Sequence, residues 1–222
     1  MKIISFVRKG QTSFGAVVPG GIIDLGGSLG DNVHSLNAAL TTGIMDEAML
    51  YIAGCKPEIT WSDVTLLPVI PDPSKILCIG LNYQKHKIET GRPDVDYPTV
   101  FTRFPDSQVA HGQPMMKPTF SDRFDYEGEM AVIIGRGGRN ITQEDALDHV
   151  GGYACYNDGS IRDWQQRTSQ FTPGKNFPSS GGFGPYMVTT DEVGDYRQLS
   201  IQTRLNGKVM QDASLTDLIL PV

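Results

Sequence analysis

Glycine and proline divide this chain into pieces too short for long helices. Its 222 residues include 25 glycines and 14 prolines. Glycine frees the backbone for turns, and proline removes a donor that helix and sheet interiors both need. Between these breaks lie short runs rich in β-branched and aromatic residues, such as KIISFV, SFGAVV and GIIDL. Runs of this kind, bounded by turn formers, read as strands. The expected class is mainly β with short helices. Asp31 is a candidate cap for a helix carrying Val33, Leu36, Ala39 and Leu40 on one face. A second helix should run from Asp46 to Ile52 and stop at Gly54. Thr142 and Asp145 could open another in TQEDALDHV, and SIRDWQQRT is a further candidate. KILCIGL reads as a buried strand, and Asn206-Gly207 signals a hairpin. LLPVIPDPSK carries three prolines, which places a boundary near residue 70. The expected organisation is a small N-terminal β-rich domain at 1–70 and a second domain at 71–222.

Charge and cysteine content narrow the function. A net charge of −6 and a pI near 5.1 argue against a nucleic-acid partner, which needs clustered Lys and Arg. No apolar run approaches the roughly 20 residues that span a bilayer, so no membrane partner is expected. The apolar stretch at the N-terminus is too short for a signal peptide. Cys55, Cys78 and Cys155 are odd in number and widely spaced, which fits reduced thiols and a cytoplasmic location. Walker A and GxGxxG patterns are both missing.

The most informative segment is Asp125-Tyr126-Glu127-Gly128-Glu129, followed by MAVIIG. On one strand, Asp125, Glu127 and Glu129 would project to the same face. Three adjacent like charges are costly unless something cancels them. A hard divalent cation such as Mg²⁺, Mn²⁺ or Ca²⁺ would do so, because it prefers oxygen ligands. Gly128 would leave room beside the carboxylates for a ligand. The same alternation also fits a strand with a solvated acidic face. Asp158, at the end of ACYNDGS, is a fourth carboxylate that could complete the set, or simply an Asp-Gly turn. Arg162 and Gln165 are spaced to share a helix face and would suit a carboxylate or enolate oxygen, or sit on a plain surface helix. His86 and Glu89 in NYQKHKIETG are spaced as a base and its orienting carboxylate, or as ordinary loop charges. Lys175 in TPGKNFPSSGGFGP could face an oxyanion or belong to a loop.

Taken in order, ILCIGLNYxxHxxExG, DYEGEMAVIIG, HVGGYACYNDGSIRDWQ and GKNF…GFGP resemble the fumarylacetoacetate hydrolase family from about Lys75 to about Leu220. The resemblance implies a mixed β-sandwich roll behind a small N-terminal β domain. It implies that Glu127, Glu129 and Asp158 bind Mg²⁺ or Mn²⁺, with Asp125 supporting them. It implies that Arg162, Gln165 and Lys175 contact substrate oxygens, and that His86 and Glu89 form a water-activating dyad. It also implies a homodimer, in the cytosol or a mitochondrion-derived compartment, acting on a small 2-oxo acid. Two departures stand out. Family members continue past a DLI-type segment into a Gly-Thr-Pro-rich loop, whereas this sequence stops at Val222 with no TGTPxGVG-like motif, so the C-terminal part of the roll is expected to be missing. Pro178-Ser179 stands where relatives carry an Asp-Thr-like pair.

The first functional expectation is metal-dependent hydrolysis of a C–C bond in an acylpyruvate-type 2-oxo acid, through an enolate. Lys175 joins His86 and Glu89 in the catalytic set, and Arg162 and Gln165 bind substrate. The same site could instead decarboxylate an oxaloacetate-like acid or isomerise a 2-hydroxy-dienedioate. A non-catalytic, metal-binding member is the remaining alternative.

Overall fold

The computed structural model describes residues 1–84 and 97–222. It is mainly β, with short helices at the periphery. The strands are β1 (Lys2–Arg8), β2 (Gln11–Val18), β3 (Gly21–Asp24), β4 (Thr65–Leu66), β5 (Ile76–Gly80), β6 (Thr99–Arg103) and β7 (Gln108–Ala110). They continue with β8 (Phe124–Asp125), β9 (Gly128–Ile134), β10 (Val150–Asp158) and β11 (Ser160–Ile161). Last come β12 (Gly181–Phe183), β13 (Met187–Thr189), β14 (Ser200–Leu205) and β15 (Lys208–Ser214). Helices α1 (Leu36–Thr42), α2 (Met45–Ala53), α3 (Arg162–Gln165), α4 (Thr172–Lys175) and α5 (Thr190–Val193) are all short. Among the described residues, no helix is long and apolar enough to cross a membrane.

One nine-stranded sheet organises the chain, in the order β3-β2-β1-β13-β10-β12-β7, with β4 beside β1 and β9 beside β10. β1 is buried on both faces, so its alternating side chains enter two cores. Ile3 joins a cluster with Leu25, Leu36, Ile133, Ala154, Phe183 and Met187. Ile4 and Phe6 join Ile22 and Ile59 on the other side. Strands before and after residue 70 therefore share one sheet and one core. A third cluster, Val150, Tyr153, Tyr196 and Leu215, lies towards the C-terminus.

Local chemistry explains where elements begin and end. Helix α1 starts after Ser35, not Asp31, because the Ser35 hydroxyl accepts from the Ala38 N–H at 3.1 Å. Helix α2 stops at Gly54, as the sequence indicates. TQEDALDHV yields only a 3₁₀ turn at Ala146–His149, although the Thr142 hydroxyl accepts from the Asp145 N–H at 3.3 Å and donates to the Asp145 carboxylate at 2.9 Å. Asn206 and Gly207 take φ of 51° and 82° and join β14 to β15 as a tight hairpin. KILCIGL forms β5, yet Leu77 and Ile79 are exposed. Among the described residues β5 pairs with β6 alone, and Leu77 and Ile79 stand on an uncovered face of that ribbon.

The strands crowd at glycines. A Cβ on Gly152 would lie 2.5 Å from the Val188 carbonyl oxygen, whereas one on Gly207 would meet nothing within 4 Å. Gly152→Ala should cost about 3 kcal/mol or more, because backbone must shift. Gly207→Ala should cost about 1 to 2 kcal/mol, for the left-handed φ alone. Urea unfolding of both variants checks this, and equal losses would contradict it.

Candidate active site

The acidic segment is not one strand. Asp125 ends β8, which pairs with β11, while Glu129 lies in β9, which pairs with β10. Tyr126 and Glu127 form the break. Two bonds hold it there. The Asp158 N–H donates to the Glu127 carbonyl oxygen at 2.7 Å, and the Glu127 N–H donates to Asn157 Oδ1 at 3.1 Å. The register puts Glu129 opposite Tyr156. Directly opposed side chains share a face, and the two-residue period adds Asp158 to it. Gly128 does not make room for a ligand. Its N–H donates to Gln211 Oε1 at 2.9 Å, and Thr203 fills the space where its Cβ would stand.

Opposite charges alternate through the site. Arg103 donates to Asp158 Oδ1 at 2.5 Å. Lys175 Nζ donates to Asp158 Oδ2 at 2.7 Å and to Glu127 Oε2 at 2.5 Å. Arg162 donates to Glu127 Oε1, to Asp125 Oδ2 at 2.9 Å and to Gln165 Oε1 at 2.9 Å. Three cations thus interleave with three anions. Arg103 and Lys175 are each 1% exposed and Asp158 is 4% exposed, so this end of the strip is cut off from water, whereas Glu127, Arg162 and Asp125 are partly exposed. Buried charges persist only when paired and hydrogen-bonded in this way.

Glu129 is the carboxylate left over. Among the described residues it has no hydrogen-bonded cation. Burial, followed by the charges of Glu127 and Asp158, pushes its pKa up to about 8, while Lys175 pulls the other way. Cys78, on β5, is held up at about 12 by burial and then by Asp158, so it stays protonated and is no nucleophile.

Short helices bring the donors in. α3 carries Arg162 and Gln165, and α4 carries Lys175. Gly174 makes that meeting possible, because a Cβ there would lie 2.5 Å from the Gln165 backbone nitrogen. Lys175 Nζ also lies 5.0 Å from the centre of the Phe101 ring. A cleft of about 570 Å³ adjoins these helices, lined by Phe104, Trp164, Pro173, Asn176 and Phe177 among others, and not by the carboxylates.

The structure thus gathers Glu127, Glu129, Asp158, Arg162, Gln165 and Lys175. His86 and Glu89 lie outside the described residues. Arg103 was missed by sequence reasoning. Its signal was an arginine in TVFTRF two residues after Phe101, on the strand face that packs inward, where both are buried.

An all-oxygen, all-carboxylate donor set suits Mg²⁺ or Mn²⁺, and such an ion would favour the ionised form of Glu129 that burial and its acidic neighbours oppose. As the side chains stand, no three His, Cys, Asp or Glu among the described residues are grouped to hold a metal, and Lys175 bridges two of the three candidates.

Two outcomes follow. Removing Arg103 would strand buried Asp158, so Arg103→Met should lower stability by about 3 to 5 kcal/mol in denaturant unfolding. A loss below about 1 kcal/mol would contradict the pairing. Glu129 binds its proton more tightly folded than unfolded. Its contribution is therefore full below the unfolded pKa near 4.5 and is lost as pH rises towards about 8, by up to about 1.4 kcal/mol per pH unit. Without added divalent ions, Glu129→Gln should flatten that decline. An unchanged slope in thermal unfolding between pH 5 and 8 would contradict it.

Comparison with known proteins agrees with this architecture. The family model described as fumarylacetoacetate (FAA) hydrolase, C-terminal, matches residues 75–222. The oxaloacetate tautomerase YisK of Bacillus subtilis is 41% identical over 165 residues, covering 72% of this chain and 55% of that protein. The chain spans about half the length of the curated relatives it matches. A fumarylacetoacetate hydrolase structure from Exiguobacterium antarcticum superposes with a TM-score of 0.81 at 30% identity, covering all of this chain and 78% of that one. A maleylpyruvate hydrolase from Sphingobium sp. SYK-6, solved with manganese(II) and pyruvate, shares the fold with a TM-score of 0.80 at 24% identity, covering all of this chain and 79% of that one. This chain belongs to the fumarylacetoacetate hydrolase family.

Proposed function

We propose that this site binds a small 2-oxo acid together with a divalent cation and interconverts its keto and enol forms, with an oxaloacetate-like acid as substrate. The observation that carries this reading is the strip of alternating charges around Glu127 and Asp158, with Glu129 left uncompensated beside it. The name of the 41% identical relative, an oxaloacetate tautomerase, supports the choice of reaction over hydrolysis.

Glu127, Glu129 and Asp158 would hold Mg²⁺ or Mn²⁺, a choice supported by the manganese(II) in the fold neighbour. When bound, the ion supplies Lewis acidity to the 2-oxo and carboxylate oxygens. The remaining work falls to side chains. Tautomerisation moves one proton off the enol oxygen and places one on the neighbouring carbon, with no bond to water formed or broken. The Arg162 guanidinium and the Gln165 amide bind and orient a substrate carboxylate. The Lys175 ammonium stabilises negative charge as it develops on the enolate oxygen. His86, oriented by Glu89, is the expected proton carrier.

Hydrolysis of an acylpyruvate is the second reading. It shares the stabilised enolate and adds an attacking water, and the His86–Glu89 spacing favours it. Decarboxylation and dienedioate isomerisation use the same enolate.

The test follows the ultraviolet absorbance of enol-oxaloacetate, and pyruvate release from acetylpyruvate, with and without Mg²⁺ or Mn²⁺. Metal-dependent enol decay should exceed acetylpyruvate cleavage, and Arg162→Gln should lower kcat/KM by about 100-fold. Faster acetylpyruvate cleavage, abolished by His86→Ala, would establish the hydrolase instead. Cation binding without turnover on either would indicate a non-catalytic member.

A further inference from the structure

Lys175 takes one oxygen from each of two carboxylates, Oε2 of Glu127 at 2.5 Å and Oδ2 of Asp158 at 2.7 Å. The partner oxygens are held by other groups. Arg103 binds Asp158 Oδ1 from within the core, and Arg162 binds Glu127 Oε1. Each arginine is fixed by more than one bond. Arg103 also donates to Ser180 Oγ at 2.7 Å and to the Gly159 carbonyl at 3.1 Å, and Arg162 to Asp125 and Gln165. The oxygens of Glu127 and Asp158 that meet at a shared donor are the two on the Lys175 ammonium. A divalent ion sits about 2 to 2.6 Å from its oxygen ligands. Such an ion, bound to these same two oxygens, would need the place where Nζ now lies. Two cations crowded there repel strongly in a site so poor in water.

We infer that Lys175 is a built-in counter-ion that competes with the divalent cation for Glu127 Oε2 and Asp158 Oδ2, so that cation binding frees its ammonium for the substrate. This inference rests on the cation site proposed above. It explains how these two carboxylates can point at one another in the cation-free protein. It also explains why the chain uses lysine here. A compact ammonium on a flexible stem can change partners, whereas the forked guanidinium groups of Arg103 and Arg162 hold theirs. The ammonium, once released, remains on α4 beside α3, which carries Arg162 and Gln165.

Competition makes a prediction that simple site-building does not. Removing Lys175 should tighten cation binding. Mn²⁺ affinity, measured by calorimetry and by the loss of the free Mn²⁺ electron paramagnetic resonance signal, should rise at least about tenfold in Lys175→Met and in Lys175→Gln. Arg162→Gln removes an equal charge from the same carboxylate without vacating the converging oxygens, so its affinity should stay within about threefold of wild type. Equal gains in all three variants would mean general charge relief, and weaker or unchanged binding in the Lys175 variants would mean that no competition exists. Either result overturns the inference. Should the lysine variants unfold without metal, folding restored by Mn²⁺ supports it, because the ion replaces the missing counter-ion. Failure to fold even with Mn²⁺ overturns it. Absence of Mn²⁺ binding by the wild-type protein would instead remove the cation site itself.

Discussion

The site depends on a single buried ammonium. Lys175 joins Glu127, at the end of one strand pair, to Asp158, at the end of the neighbouring strand. Without a positive charge at that point, two carboxylates would face each other in a place poor in water. Their arginine partners fix the outer oxygens, so the lysine alone closes the strip. Everything else in the site follows from getting that lysine into place. Gly174 lets α4 lie against α3, and the break at Tyr126–Glu127 turns the acidic segment from one strand pair to the next.

The sheet makes this arrangement precise enough to matter. β10 pairs with β9 along one edge and with β12 and β13 along the other, and its last residue is Asp158. The hydrogen bond from the Asp158 N–H to the Glu127 carbonyl extends the pairing by one residue beyond the regular ladder. Two carboxylates 31 residues apart in the chain are thereby held at a separation set by backbone geometry. The large cluster of Ile3, Leu36, Ile133 and Phe183 anchors the far end of the same strands. A charged strip of this kind gives little net stability, since desolvation offsets the attraction. What it does is fix the orientation of Glu127 and Asp158, each of which meets two cationic side chains.

Much of this was legible in the sequence, and the failures have physical causes. Short β-rich runs between glycines and prolines indicated the class. Asn206-Gly207 located its hairpin because few residues tolerate two successive positive φ angles. Glu127, Glu129, Asp158, Arg162, Gln165 and Lys175 were identified as a set and lie together. The strand through Asp125 to Glu129 was misread as continuous, because a sheet change leaves no trace in a pattern of period two. Gly128 was assigned to ligand approach, although the hairpin that packs on it lies more than 70 residues further along the chain. Arg103 escaped notice because a charged residue in a strand normally signals solvent. The two-residue period from Phe101 puts Arg103 on the inward face, where Asp158 is its partner.

The central claim is that Glu127, Glu129 and Asp158 meet a divalent cation where Lys175 now bridges two of them. The most direct test is a crystal structure of the protein grown with Mn²⁺, with anomalous scattering collected at the manganese edge. The account predicts one strong peak bounded by the three carboxylates, with Lys175 Nζ moved off Glu127 Oε2 and Asp158 Oδ2. A peak elsewhere, or none at all with the Lys175 bridge intact, would contradict it.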